Sequence, residues 1–322
     1  MTSRSGPGAA RIGIVGAGAV GHTVAASLVA AGLCEQLLIA SRTADQANSM
    51  AADLDDMRVA LGSPVRPRAV TAPGLADCEV VVVAARARFS NTRHTDVRLA
   101  GMAANAPIIR DLAVNLRGCD GAVIMVTNPV DLMSRLFAEV SGSSRVVGIG
   151  SNLDSARYRL ILARLLDVPP SSVHGSVIGE HGEALVVCAS ATTVNGRAVC
   201  VPVDHIYAAL RTRSGQIMDG IGRTRGGPAG AVLSTLRRVL GLTDGVEELS
   251  RAYHGGWLGV PLRFRAGQAE TCLPPLSPKE ARDLAAADAK LRAAYATLTE
   301  RLRLPLPRPP TDLTSTPRPM PA

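Results

Sequence analysis

The apolar positions of the chain change period in a regular order. Arg11 to Gly16 is a short β-type run, and Ala17 to Ala31 carries a helical pattern that stops at Gly32. Leu37 to Ser41 returns to strand, Thr43 to Leu61 to helix, and the Pro- and Gly-punctuated stretch from Gly62 to Gly74 reads as a loop. A third strand spans Glu79 to Ala85. Its centre, Val80 to Val83, is continuously apolar, as a parallel strand covered on both faces must be. Asp96 to Leu116 reads as helix, Gly121 to Val126 as strand, Val130 to Val140 as helix and Arg145 to Ile149 as strand. Strand and helix alternating in this way specify an α/β fold built on a doubly wound parallel sheet.

Past Ser151 the alternation breaks. A helix over Asp154 to Leu166 is followed by strand-like runs through Val203, two more helices, a β-rich section near Val246 to Leu273, and a charged amphipathic helix over Ser277 to Leu304. The expected organisation is therefore an α/β domain over 11–150 and a mixed α+β domain over 151–304. Residues 1–10 and the proline-rich 305–322 are expected to be disordered.

Composition narrows the class. With 322 residues, 47% of them apolar, the chain can bury a core of about two domains. No uncharged run approaches the ~18 residues of a membrane span, so no membrane partner is expected. The first ten residues lack a secretory pattern, and a cytoplasmic protein is expected. The six cysteines are scattered without a C-x-x-C pair and read as free thiols, with no metal site. The net charge of +8 is carried by arginine, since Lys279 and Lys290 are the only lysines. Those arginines are spread along a chain with 2% aromatic residues, which argues against nucleic acid and for small anionic ligands held by guanidinium forks.

Gly16, Gly18 and Gly21 form G-x-G-x-x-G directly after a strand and at the start of a helix. In that context the first glycine allows the tight turn, the second admits a pyrophosphate to the backbone, and the third lets helix and strand pack closely. Ala19 and Val20 complete the turn, so 11–150 is expected to bind a dinucleotide in Rossmann fashion. Twenty residues after Gly21, where an NAD site usually carries an acidic residue, stand Ser41 and Arg42. A hydroxyl and a guanidinium suit a 2′-phosphate, which points to NADP.

Three further stretches carry chemistry: Asn128-Pro129-Val130-Asp131, Asn152 to Arg157, and Gly179-Glu180-His181-Gly182-Glu183. With these in order, the chain resembles the lactate/malate dehydrogenase family from about Arg11 to Arg303. The resemblance implies that Arg157 clamps a substrate carboxylate and that His181 donates a proton to the carbonyl. It also implies that Asp154 pairs with the other ring nitrogen and that Asn128 orients the carbonyl or the nicotinamide. It places Arg98 on a mobile segment as the group that polarises the carbonyl oxygen, and Ala85 beside the cofactor. His22, His94, His174, His205 and His254 have no such partners in the sequence, and Glu180 and Glu183 read as turn and surface charges.

Two departures from the family bear on substrate choice. The loop before Arg98 is about three residues longer than usual, which leaves Arg88, Phe89, Thr92 and Arg93 as alternative selectors. On the opposite wall, Pro228 stands where the family often has threonine, with Val232 near the nicotinamide. The reading is an NADP-dependent reductase of a small anionic 2-oxo acid bulkier than pyruvate, giving the L-2-hydroxy acid, in a homodimer or homotetramer. The alternatives are an NAD-dependent malate or lactate dehydrogenase and a non-catalytic nucleotide sensor on the same fold.

Overall fold

Four consecutive valines set the middle of the sheet. In the computed structural model, which describes residues 9–87 and 97–302, Val80 to Val83 lie 0–3% exposed, with strands on either side. Residues 1–8, 303–322 and the loop positions Arg88, Phe89, Thr92, Arg93 and His94 lie outside the described residues. The first half runs β1 (Ala9–Val15), α1 (Ala19–Ala31), β2 (Cys34–Ala40), α2 (Ala44–Leu61), β3 (Arg66–Ala69), β4 (Val80–Val83), α3 (Val97–Asn115), β5 (Ala122–Met125), α4 (Val130–Ser141) and β6 (Val146–Gly148). The helices stop where the glycines dictate, with Gly32 and Gly62 in the left-handed region at the ends of α1 and α2. Thr43 caps α2 by accepting the Gln46 N–H at 3.2 Å.

The strand order β3-β2-β1-β4-β5-β6 is parallel throughout. This is the Rossmann order, with its switch point between β1 and β4, where ligands bind beyond the carboxyl ends of the strands. Several boundaries differ from the sequence reading. β1 already starts at Ala9, so Ala9 and Ala10 are strand rather than part of a disordered stretch, and β2 starts at Cys34. β3 occupies part of the expected loop, because Pro67 is tolerated on an edge strand and hides the signal.

The second half continues with α5 (Ser151–Leu165), β7 (Val173–His174), β8 (Val177–Gly179), β9 (Leu185–Val187), β10 (Thr193–Val194), β11 (Arg197–Ala198), α6 (Val203–Ile221) and α7 (Gly226–Val239). It closes with β12 (Gly245–Tyr253), β13 (Gly256–Arg265), β14 (Gln268–Thr271) and α8 (Pro278–Leu302). β12 joins the antiparallel part to the parallel one through the Ser250–Gly148 pair, so a single sheet runs on through β12, β13, β8 and β9. A small sheet of β11, β10 and β7 lies apart. α5 starts at Ser151, three residues before the periodicity suggests, because Asn152 Oδ1 accepts both the Gly150 N–H (3.0 Å) and the Leu153 N–H (2.9 Å) and fixes the turn.

The main core fills both faces of the large sheet, and a second cluster around Tyr158, Leu162 and Ile206 sits between α5, α6 and the small sheet. α8 is tied across α4: the Tyr295 hydroxyl donates to Glu139 at 2.6 Å, and the Arg135 guanidinium lies 4.0 Å over the Tyr295 ring. Among the described residues no helix is long and apolar enough to cross a membrane.

Candidate active site

The glycine turn caps the carboxyl end of β1. A Cβ on Gly21 would stand 1.9 Å from the Gly16 carbonyl oxygen, and one on Gly16, at φ +112°, would meet the Ala84 carbonyl at 2.8 Å, so these two glycines are required by packing. Gly18 is different, since a Cβ there would meet nothing within 4 Å. The space over it is open, and α1 begins there with no side-chain cap and no acidic residue in its first turn. The uncapped N–H groups of that turn, which includes Ala19 and Val20, suit a pyrophosphate. A dinucleotide therefore fits the residues present.

Beside the turn, Ser41 Oγ accepts the Ala17 N–H at 3.3 Å and donates to Gln46 at 3.0 Å. Its hydroxyl thus secures the turn. Exposed Arg42 reaches across to the carbonyl of exposed Arg86 at 3.1 Å, bringing two arginines to this corner. The ends of β4 and β5 are laced together by Thr127 donating to the Ala85 carbonyl (2.6 Å). Buried Asn105 adds a second tie, accepting the Ala87 N–H and donating to the Asn128 carbonyl, both at 2.8 Å. Asn128 stands exposed at the end of β5, ahead of a cis bond to Pro129.

His181 follows β8. Its Nδ1–H donates to Asp154 Oδ2 at 2.7 Å, and Arg157 donates to the other oxygen of the same carboxylate at 3.4 Å. Asp154 and Arg157 lie one turn apart on α5 and are both buried. Gly150 makes room for the ring: with φ +154°, any Cβ there would lie 2.5 Å from His181 Cγ. Burial pulls the His181 pKa down, but Asp154, and then Asp131, more than offset it, and the net shift is upward. For Asp154, burial pushes up, yet the imidazole charge and hydrogen bond and the nearby guanidinium bring its carboxyl below the usual range. Burial also lowers the Arg157 pKa; Asp154 opposes this, while Arg213 on α6 adds to it as a like charge.

Asp131, in the first turn of α4, is 2% exposed and touches this cluster at the His181 backbone. One oxygen accepts the His181 backbone N–H at 3.0 Å and the other accepts the Ser250 hydroxyl at 2.5 Å. Burial first, and then neighbouring Glu180, push its carboxyl up to about 6 against the hydrogen bonds that favour the charge. Glu180 corrects the surface reading: it is buried, accepting the Ala184 N–H at 2.9 Å and pairing with Lys290 of α8 at 2.7 Å. His22 likewise gains a partner, Asp53 at 2.9 Å, away from this cluster. Asn152 donates to buried Glu247 of β12 at 2.8 Å, which anchors the start of α5.

Arg98 lies within α3. Pro228 is buried in the first turn of α7, and Val232, one turn on, is fully buried. Sequence reasoning missed Asp131, Ser250 and Asn105 as parts of the site. The only hint was that Asp131 falls in the same short motif as Asn128. The described cysteines are all free, and among the described residues no His/Cys/Asp/Glu group could hold a metal ion.

A Rossmann half with an open glycine cradle, together with a histidine paired to a buried aspartate in a second α/β half, defines an oxidoreductase that uses a nicotinamide dinucleotide. Residues 10–150 match the lactate/malate dehydrogenase NAD binding domain, and residues 151–222 match the alpha/beta C-terminal domain of the same family. The chain belongs to the lactate/malate dehydrogenase family. It is similar to the L-lactate dehydrogenase of Staphylococcus epidermidis, 29% identical over 271 residues that cover 78% of this chain and 85% of the relative. The L-lactate dehydrogenase of Macrococcus caseolyticus is 27% identical over 304 residues, covering 88% and 96%. Among solved structures, the minor L-lactate dehydrogenase of Enterococcus mundtii superimposes with a TM-score of 0.82 at 25% identity, over 91% of this chain and 99% of that one. The malate dehydrogenase of Cryptosporidium parvum gives 0.81 at 25% identity, over 90% and 99%.

Proposed function

We propose that this chain reduces a small 2-oxo acid to its L-2-hydroxy acid, with NADPH preferred. The observation that carries the reading is the 2.7 Å contact between His181 and Asp154, with Arg157 on the same carboxylate. With Nδ1–H committed to Asp154, the proton available for transfer is on Nε2. The upward shift favours the charged ring, and it is the protonated enzyme that receives the oxo acid and passes that proton to the carbonyl oxygen. Arg157 takes the substrate carboxylate in a two-pronged grip that a buried guanidinium is shaped to give. Asn128 orients the reacting carbonyl, and Arg98 is the arginine we assign to polarising it. When bound, the nicotinamide supplies the hydride. The turn from Gly16 to Gly21 holds the dinucleotide pyrophosphate.

The NADP preference is supported by the absence of a carboxylate at Ser41 and by Arg42 beside Arg86, where an acidic residue would repel a 2′-phosphate. Pro228, with no hydroxyl to offer, supports a substrate side chain larger than that of pyruvate. We further propose the division of labour at Ser151, a homodimer or homotetramer, and a cytoplasmic setting suited to six thiols. A second reading, an NAD-dependent malate or lactate dehydrogenase, is favoured by the names of the relatives and by the description of the matched NAD binding domain. A spectrophotometric screen of NADPH and NADH against pyruvate, oxaloacetate and longer 2-oxo acids separates the two. Turnover of none of these acids with either cofactor would reject both and favour a nucleotide sensor.

A further inference from the structure

His181 is bounded by ionisable groups on several sides. α5 contributes Asp154 and Arg157, with Arg213 of α6 behind the latter; α4 contributes Asp131; Glu180, paired with Lys290 of α8, precedes the histidine. Among these groups only Asp131 grips the backbone of His181. Its two oxygens are divided between the His181 N–H, at 3.0 Å, and the Ser250 hydroxyl of β12, at 2.5 Å. Asp131 sits in the first helical turn after Pro129, where the amino end of α4 favours a negative charge. Asn128 leaves the same short segment three residues earlier. One carboxylate therefore ties together the element carrying His181, the segment carrying Asn128 and a strand of the second half.

We infer that Asp131 is a positioning residue for His181, fixing its backbone and supplying, beside Asp154, a second negative charge that favours the imidazolium. This role rests on the reading of His181 as the proton donor. A buried carboxylate with one acceptor oxygen turned to the histidine backbone serves geometry and charge at once, and substitution separates the two. In Asp131→Asn the amide keeps an acceptor for the His181 N–H and turns its NH₂ donor to Ser250 Oγ, so the hydrogen bonds survive and the charge is lost. In Asp131→Ala both are lost. Ser250→Ala removes the donor that favours the Asp131 charge and so weakens the same field by a smaller amount.

The test is a pH titration of histidine-labelled protein by NMR, without added ligand, with the His181 signal assigned from His181→Asn. The His181 pKa is expected to fall in Asp131→Asn and, to a lesser extent, in Ser250→Ala. With pyruvate, oxaloacetate and longer 2-oxo acids as probes, the alkaline limb of kcat/KM for reduction moves to lower pH in step. A shift of half a unit reads as about a threefold loss above the pKa, while the NADPH Kd stays unchanged. A purely structural role would lower Tm and leave the ring titration where it was. An unchanged His181 pKa in Asp131→Asn overturns the inference, and should that variant not fold, an unchanged value in Ser250→Ala does so. If the wild type reduces none of the oxo acids, the proposed reaction fails, yet the titration still decides the role of Asp131.

Discussion

His181 is where opposing local effects meet. Burial disfavours its charge, Asp154 and Asp131 favour it, Arg157 disfavours it, and the carboxylates prevail. Reduction of an oxo acid should therefore show a kcat/KM plateau at low pH that falls only above the ordinary histidine range, while oxidation of the hydroxy acid rises over the same interval. A reduction profile that turns down below that range would remove His181 as the titrating acid. His181→Asn keeps an amide in place but has no proton to give, and is expected to lose on the order of 10² to 10⁴-fold in kcat with little change in NADPH affinity. Stopped-flow measurement of the hydride step checks this directly. Gly150 tests the same ring from behind. With φ +154° and His181 Cγ 2.5 Å from a Cβ, Gly150→Ala should displace the imidazole and cost about 1–3 kcal/mol of stability. Kinetics and Tm should fall together in that variant; retention of both would show that the ring can move aside.

At the scale of elements, the chain was most legible where one strand or helix carries the whole signal. The continuous apolar run of β4 and the glycines opening α1 each sit inside one element, so periodicity and spacing expose them, whereas Asp154 and Arg157 on α5 were singled out only by the family resemblance. What stayed hidden depends on partners far along the chain. Asp131 meets Ser250 across 119 residues and Glu180 meets Lys290 across 110, and no local pattern encodes such pairs. β3 escaped for another reason, since an edge strand containing Pro67 carries loop-forming chemistry. The junction of β2 and α2 gives the cofactor prediction. Ser41→Asp with Arg42→Ala places a carboxylate beside the turn and removes the exposed guanidinium, and should reverse the ratio of kcat/KM for NADPH over NADH. Equal use of both cofactors by the unmodified protein would mean that this corner does not discriminate. Because Ser41 also holds the Ala17 N–H at 3.3 Å, the acidic replacement keeps an acceptor there and the turn should survive.

For the whole molecule, the same buried groups set how stability varies with pH. Asp131 has its folded pKa raised to about 6 from 3.8, so the folded state holds a proton that the unfolded chain has already released between those values. His181 is also raised, and its contribution is complete below the ordinary histidine pKa and lost as pH climbs through the folded value. Both make the protein less stable at pH 8 than near pH 5.5. Asp154, lowered, opposes this only in acid, where its contribution disappears as pH falls through its folded value. Thermal unfolding should accordingly show Tm declining from pH 5.5 to 8 in the wild type and a flatter profile in Asp131→Asn. Parallel slopes in the two proteins would show that Asp131 does not govern the trend.

The junction of β6 with β12 also bears on how this chain can be taken apart and recombined. The Ser250–Gly148 pair makes the parallel strands and the antiparallel ones a single hydrogen-bonded surface, crossed by the Asp131–Ser250 bond at the same place. Expressed alone, the first 150 residues would present β6 as a bare edge, with ladder groups open to any other strand and a buried carboxylate deprived of its hydroxyl donor. The dinucleotide-binding half is therefore not a cassette to be exchanged at Ser151 between relatives. A working chimera must carry β12 along with β6, and a crossover that respects the sheet would fall in sequence nowhere near the point where the two halves divide.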